Sequence, residues 1–252
     1  TPTLNGININ TGIYNLLLHG VGGTYSNMNL AGATTSSLYF ASGADPTFGL
    51  NVTLDNSPSP YTLIAMSLPT GVSYTSGAGL VEDYVRFTGT LTGSMSLSAN
   101  PVGPASYWRV LVSGSTDLSV PSGATLTLAA GVVMKFELGA ELNINSGATL
   151  NVNGTSGSHV IMTSSTDADV GNGNSTLRDD WNGLNFKAGS AGGTINFLDI
   201  WYAFDCIDFS NVSSNPTFNN LSLSYCTDGL RINSSTGMIL SFSDLQINEG
   251  FA

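Results

Sequence analysis

Residues 118–154 have the sequence LSVPSGATLTLAAGVVMKFELGAELNINSGATLNVNG, and the second half of this stretch repeats the first. The pentapeptide Ser-Gly-Ala-Thr-Leu occurs at 122–126 and returns unchanged at 146–150. Each copy consists of short runs of alternating apolar residues that a glycine turn separates, which is the pattern of β-strands. Self-similarity with a period in the twenties is typical of solenoids, so each copy is predicted to be one coil of a parallel β-helix.

The same period extends over most of the chain. Its length is about 21–24 residues, and over the whole sequence it predicts about 11 coils of an all-β solenoid. Stacked coils bury their apolar side chains in continuous columns, because equivalent residues of neighbouring coils lie directly above one another. The pairs that define the predicted register include Leu4–Tyr25, Leu16–Leu38, Leu118–Leu142, Leu126–Leu150, Ile195–Phe218 and Asp205–Asp228.

The coil pattern divides the chain into three parts. It is clear in residues 1–54 and 106–252, and it weakens in 55–105, where prolines cluster at 56–60 and 100–104. Proline and glycine clusters interrupt regular strands. We predict one continuous solenoid in which 55–105 forms irregular coils, with a small β-insertion as the alternative.

The two ends of the chain resemble each other. Residues 1–9, TPTLNGINI, match 215–223, NPTFNNLSL, and the next apolar pair matches at the same offset. A segment taken from a longer array of coils has this property. We therefore expect neighbouring repeats, or like subunits, to be partners of this chain.

Composition excludes some classes of partner. Charged residues make up 9% of the chain, and the formal net charge is −11 with six basic residues. Phosphate backbones are bound through Lys and Arg, so a nucleic acid partner is not expected. A basic membrane-binding face is equally excluded, and no apolar run reaches the ~18 residues of a membrane span, so no membrane insertion is expected.

Four motifs in order resemble a known family. Residues 118–136 are similar to the opening coil of right-handed parallel β-helix domains in large secreted bacterial surface proteins. The following motifs of that family correspond to VNGT at 152–155, VIMTS at 160–164, a polar loop at 165–178 and DWNGL at 180–184. The resemblance implies a right-handed parallel β-helix, an extracellular or cell-surface location, and the role of an adhesin stalk or filament.

The polar loop is the most suggestive candidate site. Its Asp and Asn oxygens alternate around glycines, and such oxygens are the ligands that Ca²⁺ prefers. The loop departs from an EF-hand because it has no final Glu, and a solvated loop with Asx turns is the alternative. Calcium is therefore the one cofactor to consider. The candidate metal ligands are Asp167, Asp169, Asn172, Asn174, Asp179 and Asp180.

The sequence contains no complete catalytic constellation, so we predict that the chain is not an enzyme. Residues 226–230, CTDGL, resemble a strand of pectin-cleaving β-helix hydrolases. Those enzymes also need further paired carboxylates, a Gly-His-Gly and an Arg-Ile-Lys motif, and here Arg231 and Ile232 are not followed by Lys. The two histidines, His19 and His159, lie in no such context. A Gly corner with an Asp cap is the alternative for 226–230.

Aromatic residues near the C-terminus form a candidate glycan-stacking face. Tyr202 and Tyr225 should lie in one column of adjacent coils, where stacking is favourable. Packing in the core or at corners is the alternative for all four aromatic residues. The candidate stacking residues are Trp181, Trp201, Tyr202 and Tyr225.

Two smaller features concern threonine and cysteine. Thr125 and Thr149 share a column, but Thr127 falls on Asn151, so a regular ice-binding threonine array is not expected. Two cysteines do not make a disulfide framework. Cys206 and Cys226 lie three positions out of column, so both an inter-coil disulfide and a pair of buried thiols remain open.

Together these features predict a structural, non-enzymatic segment of an extracellular bacterial surface protein. Inter-coil hydrogen bonds and apolar columns would make it stiff, and the loops would contact surface glycans or neighbouring repeats. The alternative is a polysaccharide-binding or polysaccharide-degrading protein of the same fold.

Overall fold

The chain folds entirely as β-structure in its described part. In the computed structural model, the parallel strands stack as a β-solenoid of about 8 turns, and the described residues contain no helix. In that part of the chain there is accordingly no helix long and apolar enough to cross a membrane. The residues described are 2–20, 22–41, 44–49, 51–55, 57–64, 72–75, 84–99, 107–110, 117–168, 180–212, 214, 216–233 and 237–248.

The strands are short and follow one another closely along the chain. The first half contains β1 Thr3–Asn5, β2 Asn8–Ile9, β3 Gly12–Leu18, β4 Gly22–Ser26, β5 Met28–Ala31, β6 Ala33–Phe40, β7 Asp45–Phe48, β8 Val52–Asp55, β9 Ser59–Ile64, β10 Val72–Thr75, β11 Tyr84–Thr88, β12 Met95–Leu97 and β13 Tyr107–Val110. The second half contains β14 Leu118–Val120, β15 Thr125–Ala129, β16 Val133–Phe136, β17 Glu141–Ile144, β18 Thr149–Asn153, β19 Val160–Ser164, β20 Gly183–Phe186, β21 Thr194–Trp201, β22 Asp205–Ser210, β23 Thr217–Ser224, β24 Asp228–Asn233, β25 Ser241–Phe242 and β26 Leu245–Asn248.

The strands belong to two compact units, and the first comprises Thr1–Phe87 and Asn100–Trp108. Each of its first three coils contributes three strands. Together with β10, these nine strands form the parallel columns β1-β4-β7, β2-β5-β8-β10 and β3-β6-β9. The apolar positions of successive coils coincide, so Leu30, Leu38 and Leu54 are completely buried. Burial of these columns stabilises the stack by roughly 1.5–3 kcal/mol for each large side chain.

The second unit comprises Thr88–Ala99 and Arg109–Ala252. One column is β14-β17-β20-β22-β24, and a second is β12-β15-β18-β21-β23. A third column runs from β16 through β19 to β21, so β21 takes part in two columns. Its core is apolar and closely stacked: Leu118, Leu142 and Leu184 are completely buried one above another.

The register predicted from the sequence is confirmed. Thr125 pairs with Thr149 and Leu126 with Leu150, as the repeated pentapeptide requires. The remaining predicted pairs are Leu4–Tyr25, Leu16–Leu38, Leu118–Leu142, Ile195–Phe218 and Asp205–Asp228, and all of them occur. Matching apolar positions between copies therefore identified the stacked coils correctly.

The predicted number of coils, about 11, is too high for a solenoid of about 8 turns, and one coil that is much longer than the period accounts for part of the difference. Leu118 pairs with Leu142 after 24 residues (142 − 118), whereas Leu142 pairs with Leu184 after 42 residues (184 − 142). Most of the additional residues lie between β19 and β20, in the part of the sequence that holds the polar loop, and a few lie between β18 and β19. A loop of this kind lengthens a coil without adding a turn to the stack.

A glycine is required where two coils approach most closely. Gly183 opens β20 with φ of +106°, and a Cβ atom there would collide with the backbone carbonyl oxygen of Asp205 in the next coil. L-residues rarely adopt this conformation, and backbone atoms cannot move aside cheaply. Gly157, by contrast, has an ordinary φ, and a Cβ atom there would meet open space.

Gly183→Ala is therefore expected to lower the free energy of unfolding by about 3 kcal/mol or more, because strain and steric overlap add. Gly157→Ala serves as the control and should change it by less than about 1 kcal/mol. Urea unfolding followed by circular dichroism measures both. Equal effects of the two substitutions would contradict the close approach of the coils at Gly183.

A disulfide joins consecutive coils of the second unit. Cys206 in β22 is bonded to Cys226, which follows β23, and the two Cα atoms are 5.7 Å apart. Both side chains are buried. Of the two alternatives that the sequence left open, the disulfide is the one present. It closes a loop across 20 residues of sequence separation and so restricts the unfolded chain.

Reduction of this disulfide is expected to lower the free energy of unfolding by about 3 kcal/mol, the loop-closure value for a loop of this length. Thermal unfolding with and without a reducing agent measures the effect. In the control variant Cys206→Ser/Cys226→Ser, the reducing agent should change nothing. An unchanged wild-type melting temperature after complete reduction would refute the stabilising role of the crosslink.

Candidate functional site

Two of the predicted cation ligands are described, and Asp167 is one of them. Asp167 is buried, and its carboxylate accepts a hydrogen bond of 2.6 Å from the Thr163 hydroxyl. Its backbone carbonyl accepts a 2.8 Å hydrogen bond from the ammonium group of Lys135, which is also buried. A protein cation is thus already bound where the loop leaves β19. The predicted ligands Asp169, Asn172, Asn174 and Asp179 lie outside the described residues.

The second described ligand, Asp180, is bound to hydroxyl groups. Its Oδ2 atom accepts hydrogen bonds from Ser164 Oγ at 2.7 Å and from Thr166 Oγ1 at 2.6 Å. These bonds tie the two ends of the polar loop together. Within the described ranges, no group of three or more His, Cys, Asp or Glu side chains is arranged to hold a metal ion. The calcium site thus stays a prediction, with Asp167 and Asp180 engaged in structural contacts.

Of the four predicted stacking residues, Trp181 belongs to the core. Its side chain is completely buried and stacks on Phe136 with ring centroids 4.1 Å apart and planes inclined by 9°. Its indole nitrogen donates a 2.8 Å hydrogen bond to the carbonyl of Trp201. Packing therefore accounts for Trp181, and its ring is inaccessible to a glycan.

The other three aromatic residues lie at or near the surface. Tyr202 and Tyr225 stack across adjacent coils with centroids 4.9 Å apart and planes inclined by 7°. Tyr225 is 38% exposed, and Trp201 is half-buried. The predicted column of tyrosines is therefore present, while its contact with a glycan stays a prediction.

The segment that resembles a hydrolase strand begins at the disulfide-bonded Cys226 and continues into β24. Asp228 is exposed at the start of β24, and Arg231 of the same strand donates a 2.8 Å hydrogen bond to the carboxylate of Asp205. Burial raises the pKa of Asp205, and the neighbouring guanidinium opposes this rise. The column of threonines contains only Thr125 and Thr149 in this part of the structure, because the next coil places Gly192 beside Thr149.

A cleft on the outer surface of the second unit is the best candidate for a binding site. It has a volume of about 240 Å³ and opens to solvent. Its walls combine one aromatic ring, one imidazole, two carboxylates, two amides and one hydroxyl. The lining residues are His159, Phe197, Asp199, Asn220, Leu221, Ser222, Asp244 and Gln246.

The cleft follows a corner of the solenoid through successive coils. In β21 the corner is the single residue Phe197, with φ of +49°, and in β23 it is Asn220, with φ of +58°. On the adjoining face, Asp199, Ser222 and Gln246 form one column in register. Asp199 and Ser222 alternate with completely or almost completely buried neighbours, so the strand pleat directs these two side chains outward, and Gln246 follows them in register.

A longer turn in the preceding coil forms the other side of the cleft. Asn153 pairs with Asn196, and Val160 pairs with Leu198. Six residues connect Asn153 to Val160, whereas the single residue Phe197 connects Asn196 to Leu198. Backbone hydrogen bonds between Thr155 and Ser158 close this turn. It ends at His159, whose ring lies 5.4 Å from the ring of Phe197.

Phe197 is an unusual residue for this corner. The left-handed region suits Gly and Asn, and a bulky side chain there carries about 1–2 kcal/mol of strain. The equivalent corner of the next coil has Asn220, the residue type that the conformation favours. The backbone strain at Phe197 lowers local stability, and the same residue places an aromatic ring at the rim of the cleft.

His159 and Asp199 form the polar pair of the cleft. The imidazole Nδ1 atom lies 3.0 Å from Asp199 Oδ2 and 3.2 Å from Oδ1. Burial raises the pKa of Asp199, and the hydrogen bond and charge of His159 oppose this rise. Chemically, the pair fixes the orientation of the imidazole and presents its other nitrogen for hydrogen bonding. It can therefore orient a polar ligand.

Sequence reasoning missed this cleft because its parts are far apart in the sequence. His159 and Asp199 are separated by 40 residues, and the long coil between them breaks the regular period. The signal that was available is Phe197 itself, because it aligns with Asn220 at a corner position where the repeat favours Asn. A mismatch of this kind indicates a position under a constraint other than folding.

The pH dependence of stability follows from the buried carboxyl groups. Burial raises the pKa values of Asp117, Asp199 and Asp205 above their ordinary value of 3.8. The folded state then binds protons more tightly than the unfolded state. These groups stabilise the fold fully below pH 3.8, and they lose this contribution as pH rises through the raised values.

We therefore expect the melting temperature to rise as pH is lowered from neutrality through the raised pKa values towards 3.8, and the reduced net negative charge acts in the same direction. Scanning calorimetry at constant ionic strength measures this change. Asp199→Asn should make the dependence shallower, because one of the three groups no longer titrates. A melting temperature that falls steadily over this range would show that the sign is wrong.

Comparison with known proteins does not assign the chain to a family. No family model, no curated protein and no solved structure matches the chain. The parallel β-solenoid is therefore established by the coordinates, through the pairing of its strands. The surface-protein context rests on the four sequence motifs.

Proposed function

We propose that this chain is a structural, non-enzymatic segment of an extracellular bacterial surface protein, acting as part of an adhesin stalk or a filament. Its function is to hold a stiff solenoid between the parts of a larger assembly. Surface-exposed corners and loops remain available for contact with glycans or with neighbouring repeats.

The observation that carries this proposal is the exact stacking of equivalent residues in consecutive coils. Between β21 and β23, seven residue pairs run in parallel register, and between β22 and β24 five pairs do so. Each coil therefore adds the same hydrogen-bonded layer to the one before it. A structure built from repeated layers resists extension and bending through many parallel contacts.

The disulfide supports an extracellular location. Disulfides persist in secreted proteins and at cell surfaces, whereas the cytosol keeps thiols reduced. The bond between Cys206 and Cys226 joins two coils, and its sulfur atoms are shielded by burial. A covalent link between coils is also what a load-bearing segment requires, because it prevents separation of the layers that it spans.

Neighbouring coils of the same or a like protein are the proposed partners. The first strands of the chain have the same apolar pattern as β23, which supports stacking of one set of coils on another. In the second unit, Ile247 of β26 is 50% exposed and Ile239 is 63% exposed. Exposed apolar side chains of this kind favour coverage by further coils.

Single-molecule force spectroscopy tests the structural role. A chain held by its two ends is expected to unfold in steps, because each coil resists as one layer. A 23-residue coil, such as that from Leu184 to Ile207, should release about 75–80 Å of chain at ~3.4 Å per residue. Smooth extension at low force, without steps of this length, would contradict a load-bearing function.

The disulfide provides an internal control for this experiment. In the oxidised chain, the segment between Cys206 and Cys226 cannot be extended, so the total extension of the chain is shorter by about 70 Å. A reducing agent should restore this length in the wild type. The variant Cys206→Ser/Cys226→Ser should show the full length under both conditions.

A further inference from the structure

We propose that the cleft around Phe197 binds a single pyranose ring of a glycan that carries no acid group, either a neutral hexose or an N-acetylated amino sugar. This inference does not depend on the structural role proposed above, because the coils stack through their buried columns and the cleft lies on the outer surface. It places recognition at a corner of the second unit.

The aromatic wall suits the apolar face of a sugar. A pyranose ring has faces of C–H groups, which pack on an aromatic ring and remove both surfaces from water. Phe197 is half-buried, and its ring stands beside that of His159 at 5.4 Å. The corner conformation that it occupies favours Asn, which the next coil has as Asn220, although Tyr202 and Tyr225 adopt left-handed φ values as well.

The polar groups of the cleft suit the hydroxyl rim of a sugar. A sugar hydroxyl both donates and accepts hydrogen bonds, and it is best matched by amides, hydroxyls and carboxylates in combination. Asn220 and Gln246 supply amides, Ser222 supplies a hydroxyl, and Asp244 supplies a carboxylate. Asp199 is held in place by His159, so this acceptor is pre-oriented.

The charge of the cleft selects against acidic sugars. Asp199 and Asp244 line it, and neither Lys nor Arg is among its lining residues. A uronic acid or a phosphorylated sugar would bring a third negative charge to two carboxylates, and the one imidazole of the cleft, His159, is already paired with Asp199. Neutral sugars and N-acetylated amino sugars avoid this repulsion.

The size of the cleft limits the ligand to one ring at a time. Its volume, about 240 Å³, is below the ~300–1,000 Å³ typical of sites that enclose drug-sized molecules. Because the cleft is open to solvent, the rest of a glycan chain can extend away from it. Affinity for one ring is then weak, and it increases when several copies bind the same chain.

Titration with defined sugars tests the proposal on the intact, oxidised chain. The probes are cellobiose, N,N′-diacetylchitobiose and digalacturonic acid, and binding is measured by saturation-transfer NMR and isothermal calorimetry. Binding of cellobiose or diacetylchitobiose is expected in the millimolar range or tighter, with at least tenfold weaker binding of digalacturonic acid. Absence of binding to both acid-free sugars, or a preference for digalacturonic acid, would overturn the proposal.

Phe197→Asn separates recognition from folding. Because Asn favours the left-handed corner, this variant should melt at the same temperature as the wild type or higher, while sugar binding weakens at least tenfold. The matched control is Phe204→Asn, which removes an aromatic ring that is 42% exposed and does not line the cleft. It should bind as the wild type does.

A second variant tests the polar rim. Gln246 is exposed, so Gln246→Ala should fold normally, and it should weaken binding about threefold to tenfold through the loss of one amide. Unchanged binding in a folded Phe197→Asn variant would overturn the assignment of the cleft. Equal losses in Phe197→Asn and Phe204→Asn would do so as well, because they would place the sugar elsewhere.

Discussion

The parallel hydrogen-bonded register between coils is the constraint on which the rest of this structure depends. Once Leu118 lies over Leu142, residues 118–120 pair with 142–144 and residues 125–129 pair with 149–153 at the same offset. A shift by one residue would turn the whole apolar set outward, because side chains alternate between the two faces of a strand. Burial of the apolar columns therefore fixes the register, and the register in turn fixes which surface residues become neighbours.

This constraint explains the unusual composition of the chain. Stacking places like residues on like residues, and columns of identical charges would repel one another. Asparagine avoids this cost, because its amide both donates and accepts. In the first unit, Asn27 donates to Asn5 and Asn51 donates to Asn27, at 2.7 and 2.8 Å. The low content of charged residues, 9%, is thus a consequence of the fold rather than evidence of disorder.

The same constraint determines what the sequence predicts well. Apolar alternation and a repeated pentapeptide suffice to identify the coils, since each copy aligns residues that are in contact in the structure, as Thr125 and Thr149 are. The number of turns is predicted poorly, because a coil that carries a loop has no fixed length. For the same reason the sequence does not predict that His159 and Asp199 are neighbours, although their side chains are hydrogen-bonded.

Site residues are harder to predict than coils, because one residue type serves several purposes. Trp181 was one of four candidates for an exposed stacking face, yet its ring is buried against Phe136. Asp167 lies in a loop rich in cation ligands, yet its carbonyl is bound by the ammonium group of Lys135. Burial distinguishes these roles, and it depends on neighbours in the coils above and below, which are distant in the sequence.

Corners are where such a fold is free to acquire a function. Positions within the strands are restricted by the columns on one side and by stacked neighbours on the other, whereas corner residues face solvent and affect the register little. The corner of the coil that contains β18 has lengthened to a turn that ends at His159, while the next coil makes the same corner with Phe197 alone. This difference in length between two consecutive corners creates the cleft, and it leaves the core columns beneath unchanged. A solenoid can therefore add a recognition site at a corner without loss of the layered contacts between its coils.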